Sequence, residues 1–202
     1  MPNPEPDHVV NGRHFLYSAT LSSSNGEASC ASCHVNGDFD GLSWDLGDPM
    51  GGVINNPGPF IIGGGGFPGE DFHPMKGPMS TQTLRGLATH GSMHWRGDRT
   101  GGNDEPSVQP DSGTFNEILA FMKFNVAFEG LLGREGQLPE EQMRAFTDFM
   151  LAVLPPPNPI RNLDDQLTVR QANAQNVYFN RPIDGGLTCN ACHVLNPAQG
   201  FF

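Results

Sequence analysis

The chain has 202 residues and a formal charge of −11, with 11 Lys and Arg against 22 Asp and Glu. That balance and a pI near 4.8 exclude a nucleic-acid binder that works by displacing counterions from phosphate, and no apolar run reaches the roughly 18 residues that a membrane span needs. Hydrophobic residues are 37% of the chain and Gly and Pro about a fifth, so the side chains alone leave the interior short of apolar volume.

Residues 1–6 are a Pro-rich polar lead without the basic start and apolar run of a secretory signal. Asp7 to Ala19 reads as a helix, with Val9, Val10, Phe15, Leu16 and Ala19 at helical spacing. A loop over 22–26 leads to Cys30-Ala31-Ser32-Cys33-His34, which is expected to open a short helix. Residues 36–79 are rich in Gly, Pro and Asn and read as one long irregular loop. The run Gly63 to Gly66 inside it lacks the Lys-Ser/Thr ending of a phosphate-binding loop. Ser80 or Thr81 caps a short helix that runs to Leu87. Thr114 to Leu132 forms a longer one, with Thr114 and Glu117 as a capping box and Phe115, Ile118, Leu119, Met122 and Val126 on one face. Pro139 to Leu154 is a third, with Met143, Phe146, Phe149, Met150 and Val153 as its buried stripe. The run Pro155 to Pro159 stops it and marks the clearest boundary in the chain. Leu163 to Phe179 is a further helix, and Gly185-Gly186 leads into Cys189-Asn190-Ala191-Cys192-His193. No stretch alternates convincingly as a strand, so the class is mainly α with much coil.

All four cysteines lie in the two C-x-x-C-H frames. That frame is the attachment signature of c-type haem. Two cysteines three apart share one helical turn, so both thiols can bond one porphyrin edge, and the histidine that follows can ligate the iron. A thioredoxin-like pair needs no following His and expects a β-α-β setting. A closed zinc site pairs its ligand knuckles at short separation, whereas these frames are far apart. A disulfide framework does not explain two copies of one pentapeptide. The expected cofactors are therefore two covalently attached haem c groups, bound through Cys30, Cys33 and His34 and through Cys189, Cys192 and His193. Two such apolar disks would also supply the core volume that the composition lacks. Gly12 to Tyr17 before the first frame and Ala174 to Phe179 before the second are weakly alike, which suggests two copies of one unit.

With these frames, and with Thr83-Leu84-Arg85-Gly86 followed by Met93-His94-Trp95-Arg96-Gly97-Asp98, the chain resembles c-type cytochromes, and more closely the bacterial di-haem cytochrome c peroxidases. The resemblance implies a mainly α fold. Residues 7–155 would form a complete cytochrome c-like haem domain with long Gly/Pro-rich loops. Residues 163–202 would be the beginning of a second, truncated one. It also implies an exported, periplasmic setting, and thus a mature or excised piece of a longer protein. The segment around Met93 carries the distal haem ligand in that family. His94 is the favoured ligand, because Trp95-Arg96-Gly97 fits the pattern after it, with Met93 as the alternative. In the peroxidases this segment belongs to the second haem domain, whereas here it follows the first frame. The expected function is electron transfer with a redox partner protein, as part of a larger redox protein. The alternative is an enzyme reducing hydrogen peroxide.

The remaining histidines, His8, His14, His73 and His90, are expected to be surface or hydrogen-bonded groups. His73, Met75 and Met79 lie in or at the end of the Gly/Pro loop, where ligands are also conceivable. Arg85, Arg96 and Arg99 are candidates to pair with haem propionates. The acid excess suits a face that steers a basic redox partner.

Overall fold

The computed structural model describes residues 3–47, 49–53, 77–89, 93–95, 116–160, 164, 166–193 and 195, and the backbone of 60–62 and 65–67. Among them the chain is mostly helical with little sheet. Helix α1 (Asp7–Tyr17) starts behind Pro6, whose missing N–H costs nothing at a helix start, and Asp7 complements the dipole there. It ends two residues before the expected Ala19, because Ser18 takes an extended backbone and turns the chain into α2 (Ala19–Ser22). The buried Ser22 hydroxyl returns a hydrogen bond to the Phe15 carbonyl at 3.3 Å.

Within the expected irregular loop lie short strands that no alternation announced. β1 (Ser43–Trp44) pairs antiparallel with β4 (Met79–Ser80), and β2 (Phe60–Ile62) with β3 (Gly65–Phe67). The helix expected to start at Ser80 is absent. Ser80 is paired with Ser43 instead, and Thr81 N–H donates to the Leu42 carbonyl at 3.2 Å. Gly86 sits at φ 80°, and one 3-10 turn follows over Leu87–Thr89. Leu84 N–H, the first donor that could close a helix capped at Ser80, bonds the Gly37 carbonyl at 2.9 Å instead, and Gly86 N–H bonds the Val153 carbonyl at 2.7 Å.

The helix expected over 114–132 is three pieces: α3 (Glu117–Met122), a 3-10 turn over Lys123–Asn125, and α4 (Val126–Gly130). Asn116 is the cap, its side chain accepting from Leu119 N–H at 2.9 Å. Thr114 and Phe115 lie outside the described residues. The buried face is also not the expected one, and it departs from it already in α3, ahead of the 3-10 turn. Ala120, Phe121 and Phe128 are buried, while Leu119 and Val126 of the expected face are exposed. Asn125 then pins the next loop, donating to the Leu138 carbonyl (2.8 Å) and accepting from Leu138 N–H (2.9 Å).

Helix α5 (Glu140–Ala152) follows Pro139 and carries the core. Met143, Phe146, Phe149 and Met150 are buried as the periodicity requires, and Val153 packs against them. Phe146 is the hub, with ring centroids 5.2 Å from Phe121, 6.0 Å from Phe128 and 6.1 Å from Phe15. Thr147, buried beside it, satisfies its hydroxyl on the Met143 carbonyl at 2.8 Å. α1 crosses α5 at Gly12, where a Cβ would collide with the Ala145 carbonyl oxygen and Phe149 Cβ. Beyond the proline run, α6 (Val169–Asn180) starts behind Thr168, which exchanges capping hydrogen bonds with Gln171. This is later than the expected Leu163, which lies outside the described residues. α7 (Cys189–Cys192) completes the order. No residue of α6 is buried. Among the described residues no helix is long and apolar enough to cross a membrane.

The α1–α5 crossing is testable. Gly12→Ala forces a methyl against backbone and should cost about 1–3 kcal/mol, lowering the urea and thermal midpoints. Asn11→Ala, one position away on the exposed side, should leave both nearly unchanged.

Candidate functional site

The first C-x-x-C-H frame folds as a 3-10 turn over Cys30–Ser32. Ser29 N–H donates to Ser32 Oγ at 3.0 Å, and Cys33 and His34 N–H both reach the Cys30 carbonyl, at 3.3 and 2.9 Å. The turn holds both cysteines on one short segment. His34 leaves helical geometry at φ −87°, ψ 66°. Asn36 and Gly37 follow in the left-handed region at φ 56° and 71°, which turns the chain sharply. Cys30 and Cys33 are free thiols, and Cys30 packs against the helical core.

The His34 ring is fixed from outside its own turn. Nδ1 lies 2.7 Å from the Gln82 carbonyl oxygen. A carbonyl only accepts, so Nδ1 carries the proton and Nε2 keeps the lone pair that a metal would take. Burial pushes the His34 pKa down, against the pull of the Gln82 carbonyl and the Asp40 carboxylate, and the nearby His94 pushes it down further. The ring is thus kept neutral, the form a metal ligand needs.

Met93 and His94 are neighbours in sequence with different surroundings. Met93 is buried in the hydrophobic core with Phe15, Phe121 and Phe146. His94 is half-buried, its ring edge-on to Phe124 at 4.6 Å and close enough to His34 for its charge to be felt there. His94 has φ 67°, a left-handed backbone that costs a bulky residue on the order of 1–3 kcal/mol and occurs where surrounding structure enforces it. Next to it, Trp95 Nε1 donates to the Ser80 carbonyl at 2.7 Å. The residues present suit a haem: two thiols on one turn, a neutral imidazole with Nε2 available, and a second imidazole near it. They suit a closed zinc site poorly, since among the described residues no three or more His, Cys, Asp and Glu side chains converge on a metal position.

The thiols are not those of a reactive redox pair. Burial pushes the Cys30 pKa up to about 11. Burial, with the Asp40 charge, also raises that of Cys33. Both effects disfavour the nucleophilic thiolate.

The second frame repeats the first in backbone. His193 N–H donates to the Cys189 carbonyl at 2.9 Å, the distance found at His34 and Cys30. His193 leaves its turn at φ −98°, ψ 70°, close to the angles of His34. Ser29 and Thr188 occupy the same position ahead of the two turns. The surroundings differ. His193 is exposed, and its contact to α6 is the Tyr178 hydroxyl donating to its carbonyl. The side chain of Cys192 lies outside the described set.

The other sequence candidates are spread out. His14 stacks beside Phe15, at 4.0 Å between ring centroids, and His8 sits near Asp148 and Leu151 in an open depression. Met79 is in β4, opposite Trp44. Arg85, a candidate propionate partner, pairs with Asp38 at 3.3 Å and donates to the Asn36 carbonyl at 3.1 Å, bracing the turn after the frame. His73, Met75, His90, Arg96 and Arg99 lie outside the described residues. Sequence reading passed over two partners of the site. Gln82 acts through its backbone carbonyl, which leaves no trace in residue type. Asp40 stands six residues after His34 without a motif to flag it.

No protein-family model matches the chain, and no curated protein matches it. A solved structure of hydrazine synthase from Kuenenia stuttgartiensis, pressurised with 20 bar xenon, is similar over 100% of this chain, with a TM-score of 0.55 at 19% sequence identity. The likeness is one of fold, and it takes in 53% of that protein's chain, so this chain spans about half its length.

Three shifted groups of the first frame, His34, Cys30 and Cys33, set a stability window for the haem-free chain. His34 has a lowered pKa, so its contribution is present above the ordinary imidazole value of 6.5 and is lost as acid protonates the ring on unfolding. Cys30 has a raised pKa, so its contribution is present below the ordinary thiol value of 9.0 and is lost as pH climbs towards about 11. The melting temperature of the haem-free chain should therefore peak between these limits. Cys30→Ala should weaken the alkaline fall, which Cys33 shares, and leave the acid side unchanged.

Proposed function

We propose that this chain is a c-type cytochrome with two covalently attached haems, and that it moves electrons to or from a protein partner. The observation that carries the reading is the pair of C-x-x-C-H frames folded into the same turn, each delivering its histidine from the same backbone angles. In this reading Cys30 and Cys33 hold the first haem and Cys189 and Cys192 the second. His34 and His193 are the proximal ligands. Haem held in this way supplies one-electron chemistry at its iron. The fold shared with hydrazine synthase supports the reading at the level of architecture.

The chain's own residues prepare the first site. Gln82 orients His34 and keeps its proton on Nδ1. Burial keeps that ring neutral. His94 is the favoured distal ligand, supported by its nearness to His34, whereas Met93 is engaged in core packing. Imidazoles from His34 and His94 would together leave a bound iron no open position, which would favour electron transfer over peroxide chemistry. The peroxidase alternative rests on the likeness of Thr83–Asp98 to the ligand-bearing segment of that family. Residues 7–155 act as one haem unit in this reading and 163–202 as the opening of another. The setting is periplasmic, where such attachment occurs, and the acidic surface suits a basic partner whose association slows with salt.

The test is an exported sample of the chain with its natural surroundings intact. Its mass should exceed that of the polypeptide by two haems, and Cys30→Ser with Cys33→Ser should remove one of them. His94→Ala should let carbon monoxide bind the reduced first haem at once, while Met93→Leu should not. A sulfur-to-iron band in the oxidised spectrum would assign Met93 as the ligand instead. Rapid peroxide turnover would overturn electron transfer in favour of the enzyme.

A further inference from the structure

The turn after the first frame brings a carboxylate back to the proximal histidine. β1 and β4 pair with Ser43 opposite Ser80 and Trp44 opposite Met79, and Thr81 N–H extends the pairing to the Leu42 carbonyl. In an antiparallel ribbon of that register, the residues before β1 and those after β4 share one end. Asp40 and Gln82 are therefore at the same end, the one whose Gln82 carbonyl holds His34 Nδ1. The Asp40 carboxylate is itself fixed. Oδ1 accepts from Leu42 N–H at 2.9 Å and Oδ2 from Trp44 Nε1–H at 2.9 Å. Arg85, on the same stretch of chain, is engaged with Asp38 and the Asn36 carbonyl.

We propose that Asp40 is a positioning residue for charge: a carboxylate locked on the proximal side of the first haem that lowers its midpoint potential. This rests on the haem reading above. Reduction adds one electron to the iron, removes one unit of positive charge and neither makes nor breaks a bond. A fixed negative charge near the proximal ligand stabilises the oxidised form more than the reduced one, so the potential falls. The Asp40 charge is felt at both His34 and Cys33. Desolvation raises the Asp40 pKa, but the hydrogen bonds from Leu42, Trp44, Thr81 and its own backbone together outweigh it and the net shift is downward, which keeps the carboxylate ionised at neutral pH. The Leu42 and Trp44 bonds fix where the charge sits at this end of the ribbon.

The experiment is a spectroelectrochemical titration of the haem-loaded full chain. Asp40→Asn should move the midpoint of the first haem upward, leave the second in place, and keep two haems per chain. Asp45→Asn is the control, because that carboxylate is exposed beyond the strand and bonds only the Gly47 N–H at 3.0 Å among the hydrogen bonds described. It removes the same charge and should shift the first haem much less. Asp40→Glu keeps the charge and should stay near the parent potential. Should Asn impair loading, Asp40→Ser removes the same charge and must give the same upward shift. Equal shifts in the Asp40 and Asp45 variants, or no shift with loading intact, overturn the inference and leave the haem reading standing. A parent chain without haem at Cys30 and Cys33 overturns both.

Discussion

The hydrogen bond between His34 Nδ1 and the Gln82 carbonyl is the contact on which the candidate site depends. It joins residues 48 positions apart and so couples the Cys30–His34 turn to the β1–β4 ribbon. It also decides which ring nitrogen is free, because the proton must sit where the carbonyl can accept it. An imidazole without this partner could rotate or change tautomer, and the two thiols beside it would then present no defined ligand. The neighbouring bonds serve the same end. Leu84 N–H on the Gly37 carbonyl (2.9 Å) and Arg85 on Asp38 and Asn36 hold residues 82–85 against the turn that follows the histidine.

Behind this turn stands the helical core. Cys30 and Ala31 pack on it, Met93 is part of it, and the Gly86 N–H reaches the Val153 carbonyl at the end of α5 at 2.7 Å. The histidine side and the Met93–His94 side are thus both referred to the same cluster of Phe15, Phe121, Phe146 and Met150. The close approach of α1 to α5 at Gly12 sets where the first frame begins. A disturbance at that crossing is felt at the site through packing, since close-packed interiors transmit strain rather than absorb it.

The two C-x-x-C-H frames show how far local sequence carries and where it stops. Each pentapeptide makes the same turn and sends its histidine out at nearly the same backbone angles. Around the first, buried aromatics and a distant carbonyl define a site. Around the second, α6 has no buried residue and His193 is exposed. The turn is a local product of hydrogen bonds to the first cysteine's carbonyl, whereas the surroundings are supplied by residues far along the chain.

The sequence alone determined the two C-x-x-C-H turns, because that spacing is itself the geometry of one helical turn. It also determined α5 and its stripe, whose strong 3.6-residue period continues over three turns, and the break at Pro155, where proline removes the donors a helix needs. It did not reveal the β1–β4 ribbon, whose strands are two residues long and too short to show a period. It did not reveal the 3-10 turn at Lys123–Asn125, where helical spacing continues on paper while the backbone tightens. Nor could it tell the surroundings of Met93 and His94 apart: adjacent residues diverge there through a left-handed backbone that only tertiary packing enforces. Gln82 and Asp40 were silent because a backbone carbonyl and a lone carboxylate carry no motif: Gln82 meets His34 across 48 positions, and Asp40 reaches the Gln82 end of the ribbon only through the β1–β4 register.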